Sequence, residues 1–212
     1  GDHFYVTTAK PIFDDGGVVV SVICISKDIT ERKAMEEQLV HMAQYDALTD
    51  LPNRALISDR LQHAINEAER HRTRLALLFI DLDHFKTLND TCGHSVGDLL
   101  LKAVARRIQA CIRKSDTVGR MGGDEFVVLL PDIDNDRYAM ALAEKIRHSL
   151  SQPFDLDGYK FDSISSSIGV SIYPDHGSNE IELVRHADDA MYRAKANGRN
   201  GVTLYQPAQI VE

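Results

Sequence analysis

Two glycines, Gly122 and Gly123, stand between two runs that read as strand, and they set the tightest constraint on the fold. The second run, Phe126-Val127-Val128-Leu129-Leu130, is apolar throughout. Paired glycines in that position suit a tight hairpin whose central residues need positive φ. They also leave no side chain to keep a large ligand off the backbone. Asp124 and Glu125 follow at once, two adjacent carboxylates at the mouth of an apolar strand. Taken alone, Gly-Gly-Asp is equally what a solvated acidic turn uses. The rest of the chain decides between these readings.

The 212 residues allow one domain of ordinary size with something attached, and 43% apolar content is enough for a sizeable core. A net charge of −8 argues against a protein that coats nucleic acid; phosphates would need a concentrated basic patch. No apolar run approaches the roughly 20 residues that cross a bilayer, and no signal-peptide pattern opens the chain. The expectation is a cytoplasmic chain with no membrane contact of its own, even if the full-length protein is tethered. Cys24, Cys92 and Cys111 are odd in number and lack C-x-x-C spacing, which reads as free thiols.

Residues 3–13 and 18–25 read as strands around Asp14-Asp15-Gly16-Gly17. A lone hairpin is marginal in water and needs another surface. The block Ser26-Lys27-Asp28-Ile29-Thr30-Glu31-Arg32-Lys33 resembles the last hairpin and exit of a PAS sensor domain, so residues 1–30 are read as the end of such a domain and the chain as beginning inside a longer protein. Asp28 or Thr30 suits a helix cap. A linker helix is expected over 31–45, where Met35, Leu39 and Met42 form either a short coiled-coil seam or a face packed on the chain's own domain.

The remaining residues, 46–212, are read as one domain. Asp46-Ala47-Leu48-Thr49-Asp50-Leu51-Pro52-Asn53-Arg54 leads into a helix whose apolar face is Ile57, Leu61, Ala64, Ile65 and Ala68. Residues 75–80 are continuously apolar, as in a strand buried on both faces, and end in Asp81-Leu82-Asp83-His84-Phe85-Lys86. Residues 89–98 read as a loop running into a helix faced by Leu100, Val104 and Ile108. After the glycine hairpin come a helix (Ala139, Leu142, Ile146, Leu150), a short hairpin over 153–161 turning at Asp157-Gly158, and a Ser-rich strand over 163–173 whose small side chains admit a close helix. A last helix carries Val184, Ala187, Met191 and Ala194 inward and ends at Asn197-Gly198, before a closing strand over 202–205.

Gly122-Gly123-Asp124-Glu125-Phe126 is identical to the signature of the GGDEF family, the diguanylate cyclases, and the similarity runs in ordered blocks from about Asp46 onward. The resemblance implies an α+β fold, a palm-like βαββαβ open sheet flanked by helices, as in ferredoxin-like domains and nucleotidyl cyclases, here with an N-terminal β-hairpin and linker helix. It implies condensation of two GTP into cyclic di-GMP and two pyrophosphates by a homodimer. Asp81 and Asp124 are then metal ligands for Mg²⁺ (or Mn²⁺), assisted by the Leu82 carbonyl. Glu125 is either a further ligand or the group that helps deprotonate the attacking hydroxyl. The guanine falls to Asn89 and Asp98, against which adenine leaves a carboxylate unpaired. The triphosphate falls to Lys195 and Arg199, with Lys86, the backbone N–H groups of His84 and Phe85, and the open backbone of Gly122 and Gly123. Arg113, Asp116 and Arg120 resemble the family's inhibitory site for the product. Other readings stay open: a GGDEF module that only binds cyclic di-GMP or GTP, a dimerisation relay, or a cyclase for another nucleotide.

Overall fold

A computed structural model describes residues 3–156, 158–161 and 164–207. The chain divides into two compact units, with the boundary between Ala43 and Gln44.

In the first unit β1 (Tyr5–Phe13) and β2 (Val19–Asp28) pair antiparallel, from Tyr5 opposite Asp28 to Ile12 opposite Ser21, with a bulge after Ile12. Asp14 closes the turn, its Oδ1 accepting from the Gly16 and Val18 amides, each at 2.9 Å. Every residue of both strands is exposed, apolar Tyr5, Ile23 and Ile25 included. α1 (Thr30–Gln44) begins where the Thr30 amide donates to Asp28 Oδ1 at 2.8 Å, and Met35, Leu39 and Met42 are exposed along it.

The second unit opens with α2 (Arg54–His71), capped by Asn53, whose Oδ1 accepts from the Leu56 amide at 3.1 Å. β3 (Leu75–Leu82) is buried along its whole length. It is followed by α3 (Phe85–Cys92), α4 (His94–Cys111), β4 (Thr117–Gly122) and β5 (Glu125–Leu130). α5 (Asp136–Leu150) starts at an Asn135 cap; β6 (Phe154–Leu156) and β7 (Tyr159–Phe161) form a small ribbon. β8 (Ser166–Tyr173), α6 (Glu180–Ala196) and β9 (Val202–Leu204) complete the fold.

The sheet order is β4-β5-β3-β8-β9, antiparallel except for the parallel β8–β9 pair. Its first four strands with their helices are the expected βαββαβ unit. Alternation along β3 sends Ala76, Leu78, Ile80 and Leu82 into a core with α4 and α5, while Leu75, Leu77 and Phe79 pack with α2 and α6.

The structure differs from the sequence reading at three places. Residues 89–98, expected as loop, are helical except at Gly93: α3 runs to Cys92, Gly93 (φ 85°, ψ 159°) breaks the helical run, and α4 begins at His94. Gly97 permits that pairing, since a Cβ there would lie 1.9 Å from Asn89 Oδ1. The Ser-rich strand starts at Ser166; Ser163 and Asp157 of the expected turn lie outside the described residues. β2 runs on to Asp28, past the expected end at 25.

The close approach of a helix to the Ser-rich strand is present. A Cβ on Gly169 would meet the Ala187 carbonyl oxygen at 2.0 Å and the Met191 nitrogen at 2.2 Å, and Ser171 Oγ donates to the Leu183 carbonyl at 2.8 Å. α6 therefore lies on β8 backbone to backbone.

Candidate active site

Antiparallel pairing sets Asp81, near the end of β3, directly opposite Glu125, the first residue of β5. Directly opposed residues share a face, so both carboxylates rise on the α2/α6 side of the sheet. Leu82 points its side chain into the other core and leaves only its carbonyl for this end of the strand. Between β4 and β5 the chain turns through Gly123 (φ 53°) and Asp124, with Gly122 at φ 140°. Those two angles are where glycine is required.

Asp81, Asp124 and Asp188 all act on Glu125 here, against one lysine, Lys195. Lys195 of α6 donates from Nζ to Asp81 Oδ2 at 2.8 Å. Burial pushes the Asp81 carboxyl up; the Lys195 bond opposes this, while Asp124 and Asp83 add repulsion. Glu125 is likewise raised by burial and then by Asp81, Asp188 and Asp124. Asp188, which sequence reasoning missed, is exposed, and is raised by partial desolvation and by Asp189. Beside Glu125 and Asp188 a cavity of about 500 Å³ opens between α2 and α6, floored by Ile57, Phe79 and Met121.

Carboxylates gathered at one strand end, Asp81 buried and Asp124 and Glu125 partly so, are the donor chemistry of a hard divalent cation. Among the described residues no group of three or more His, Cys, Asp or Glu side chains is arranged to hold a metal by itself. Small hard cations in general take one or two carboxylates and complete their shell with water and substrate phosphate.

The other expected residues fall in three places. His84, in the left-handed region at φ 61°, starts α3 without a side-chain cap, so the amides of that first turn have no side-chain partner at His84. Asn89 and Asp98 lie on α3 and α4, and Asn89 Oδ1 is buried with no hydrogen-bond partner. A buried orphan acceptor is costly and marks a place for a donor. Lys86, Asp98 and Arg199 are exposed.

Arg113 and Asp116 are together: the Arg113 amide donates to Asp116 Oδ2 at 2.9 Å, and the Arg113 guanidinium donates to Tyr138 Oη at 2.6 Å while lying over that ring. Arg120 is committed elsewhere. Its Nη1 donates to both oxygens of Asp46 at 2.9 and 3.0 Å, and its Nε and Nη2 donate to the Gly123 carbonyl at 3.0 and 2.7 Å. Asp46 also accepts from the Thr49 amide and hydroxyl at 2.9 and 2.7 Å. Arg120 thus ties the glycine turn to the residues that open this unit. Sequence spacing grouped it with Arg113 because it could not register a partner 74 residues away.

A four-stranded βαββαβ palm with opposed acids at one end of its central strands defines the class of nucleotidyl-cyclase-like folds. The profile of the family described as "Diguanylate cyclase, GGDEF domain" matches residues 43–201, and the chain belongs to that family. It is 47% identical over 169 residues to the bifunctional diguanylate cyclase/cyclic di-GMP phosphodiesterase MucR of Pseudomonas aeruginosa, covering 80% of this chain and 24% of MucR. It is 44% identical over 166 residues to the diguanylate cyclase TpbB of the same species, covering 78% of this chain and 38% of TpbB. The chain thus spans a quarter to two fifths of these relatives. The crystal structure of the TpbB GGDEF domain superposes with a TM-score of 0.73 at 43% identity, over 74% of this chain and 98% of that one. The coiled coil and GGDEF domain of DgcB from Caulobacter crescentus, solved in complex with c-di-GMP, gives 0.75 at 31% identity, over 83% and 93%.

Proposed function

We propose that this chain is a catalytically competent diguanylate cyclase module that condenses two GTP into cyclic di-GMP and two pyrophosphates. The observation that carries the reading is the register-locked pair Asp81 and Glu125 beside the glycine turn, with Lys195 bonded to Asp81. In each half-reaction the 3′-oxygen of one GTP bonds to the α-phosphorus of the other, the bond from that phosphorus to the bridging oxygen breaks, and pyrophosphate leaves. The second attack, in the opposite sense, closes the ring. The product is two-fold symmetric, so two copies of the module face each other as a homodimer. The exposed Met35, Leu39 and Met42 of α1 supply an apolar seam for pairing the linkers, downstream of a PAS domain.

Asp81, Asp124 and the Leu82 carbonyl would hold Mg²⁺, or Mn²⁺ in its place. When bound, such a cation lowers the pKa of the attacking hydroxyl and offsets charge on the transferring phosphoryl group. Glu125, raised by burial and by its acidic neighbours, either joins those ligands or helps to take the 3′-hydroxyl proton. Lys195, Arg199, Lys86 and the α3 amides of His84 and Phe85 cradle the triphosphate, and the bare turn of Gly122 and Gly123 lets it approach. Asn89, whose buried acceptor waits for a donor, and Asp98 read guanine N1–H and the N2 amino group. Arg113 and Asp116 bind the product as an inhibitor; Arg120 serves instead as a brace for the catalytic turn.

The test is incubation of wild type and Asp124→Ala with GTP or ATP and Mg²⁺, with products separated by chromatography. Cyclic di-GMP from wild type and GTP alone is expected. Binding of GTP without turnover by wild type would replace this reading with that of a receptor module.

A further inference from the structure

We infer that Asp83 is a positioning residue that latches the 198–200 loop so that Lys195 and Arg199 meet the β- and γ-phosphates; this rests on the phosphate-cradle reading above. Asp83 is only 6% exposed. Its Oδ2 accepts from Ser165 Oγ at 2.6 Å and from the Asn200 amide at 3.1 Å, and its Oδ1 accepts from Ser167 Oγ at 2.8 Å. Its own amide donates to the Ser165 carbonyl at 2.9 Å. One side chain thus joins the residue after β3, the start of β8 and the loop after α6, segments 82 to 117 residues apart in the chain.

Every one of those side-chain partners is neutral. A buried carboxylate is unfavourable unless hydrogen bonds satisfy it, and the three that do so here all fall on the joint between β8 and the loop after α6. What it fixes is unusual backbone: Gly198, Arg199 and Asn200 lie in succession at φ 107°, 64° and 46°. Two of the three carry side chains that disfavour that region. Such conformations persist where the surroundings over-determine them, as at ligand clamps. Arg147 of α5 grips the same loop from another element, donating to Asn200 Oδ1 at 2.7 Å, and the Arg199 amide donates to the Ala194 carbonyl at 3.1 Å. Arg199 is left with its backbone pinned on both sides and its side chain exposed.

An amide at position 83 keeps the size but sets an NH₂ group where one of three donors points. With the NH₂ turned to Ser167, whose hydroxyl rotates to accept, the amide oxygen still serves Ser165 and the Asn200 amide, but without the carboxylate's charge. Asp83→Asn therefore weakens the hold on Asn200. The experiment titrates the 212-residue chain, with Mg²⁺, against 3′-deoxy-GTP, which cannot condense, and 3′-deoxy-GMP, by calorimetry. Wild type is expected to prefer the triphosphate. Asp83→Asn is expected to lose about fivefold in triphosphate affinity, the part of the Asn200 bond that the charge supplied, with monophosphate affinity unchanged. A residue with only a structural role lowers the melting temperature and leaves the ratio of the two affinities intact; that result overturns the proposal. Equal wild-type affinities would overturn the phosphate-cradle reading and this proposal with it. Should Asp83→Asn not fold, Ser165→Ala removes one donor from the same carboxylate: a fall in the ratio of twofold or more supports the latch, and an unchanged ratio overturns it.

Discussion

Replacing Gly169 with alanine tests whether the distance from α6 to the sheet governs both stability and nucleotide binding. The new Cβ would sit 2.0 Å from the Ala187 carbonyl oxygen, 2.2 Å from the Met191 nitrogen and 2.9 Å from the Ala190 carbonyl carbon. All three are backbone atoms, so no side-chain rotation relieves the clash. Ordinary contact lies near 3.5 Å, and α6 must retreat by about 1.5 Å. That retreat loosens Leu183, Ala187 and Met191, which pack against the sheet. Overpacking of this kind costs about 1–3 kcal/mol, and a rigid backbone neighbour puts Gly169→Ala at about 3. For a chain of this length each kcal/mol lowers the melting temperature by about 2–4 °C, so calorimetry should register a drop of about 6–12 °C. The same displacement lengthens the 2.8 Å bond from Lys195 to Asp81, and affinity for GTP should fall with it. Gly201→Ala is the control, since its Cβ would meet only the Arg199 carbonyl, at an ordinary 3.5 Å. If Gly169→Ala melts within about 1 °C of wild type and binds GTP equally, the backbone-to-backbone account of α6 is wrong.

Asp46→Asn should cost about 2–3 kcal/mol at pH 7, read by denaturant titration, because it weakens charge-assisted bonds from Arg120. Burial works to raise Asp46, but Thr49 and Arg120 outweigh it and hold the carboxyl below the usual carboxylate range. Its stabilising contribution is therefore complete above about pH 4, the unfolded value, and is lost as pH falls through the lower folded value. The gap between wild type and variant should close over that acid window; a gap independent of pH would refute the assignment. Mg²⁺ alone should raise the melting temperature far less than Mg²⁺ with 3′-deoxy-GTP, since no all-protein cage is present among the described residues; equal shifts would point to a preformed site. Lys195→Met, which removes the only ion-pair partner found for Asp81 among the described residues, should weaken GTP binding tenfold or more, measured by titration. Deleting residues 31–44 should lower turnover most at low enzyme concentration, and turnover per chain that is independent of concentration and unchanged from wild type would refute the linker's part in pairing.

Strand identities were legible because β3 and β5 are apolar runs closed by acids, and the glycine pair between β4 and β5 left no other turn. The close seat of α6 was legible in the small residues of β8. α3 was not: Thr87, Asn89, Asp90, Thr91 and Cys92 are weak helix formers, and packing against α4 through Gly97 decides their conformation over propensity. The opposed acids could be named from the sequence, but which strand faces which needs the register. Arg120 and Asp83 were invisible as braces because their partners lie 74 and 82 to 117 residues away, beyond any local pattern. An acid two positions after Asp81, matched by serines opening a later strand, is the faint trace Asp83 leaves in the sequence.

The pairing of Asp81 with Glu125 has a consequence for how this catalytic centre can fail. Slide β5 by one residue against β3 and Glu125 would be driven into the layer that Phe126 now fills, while Phe126 would emerge on the acidic side. The oily interior forbids that arrangement far more strongly than chemistry ever could. Alignment of the two carboxylates is therefore guaranteed by the same burial that makes the domain fold, and a chain that reaches its native interior arrives with its acids already in step.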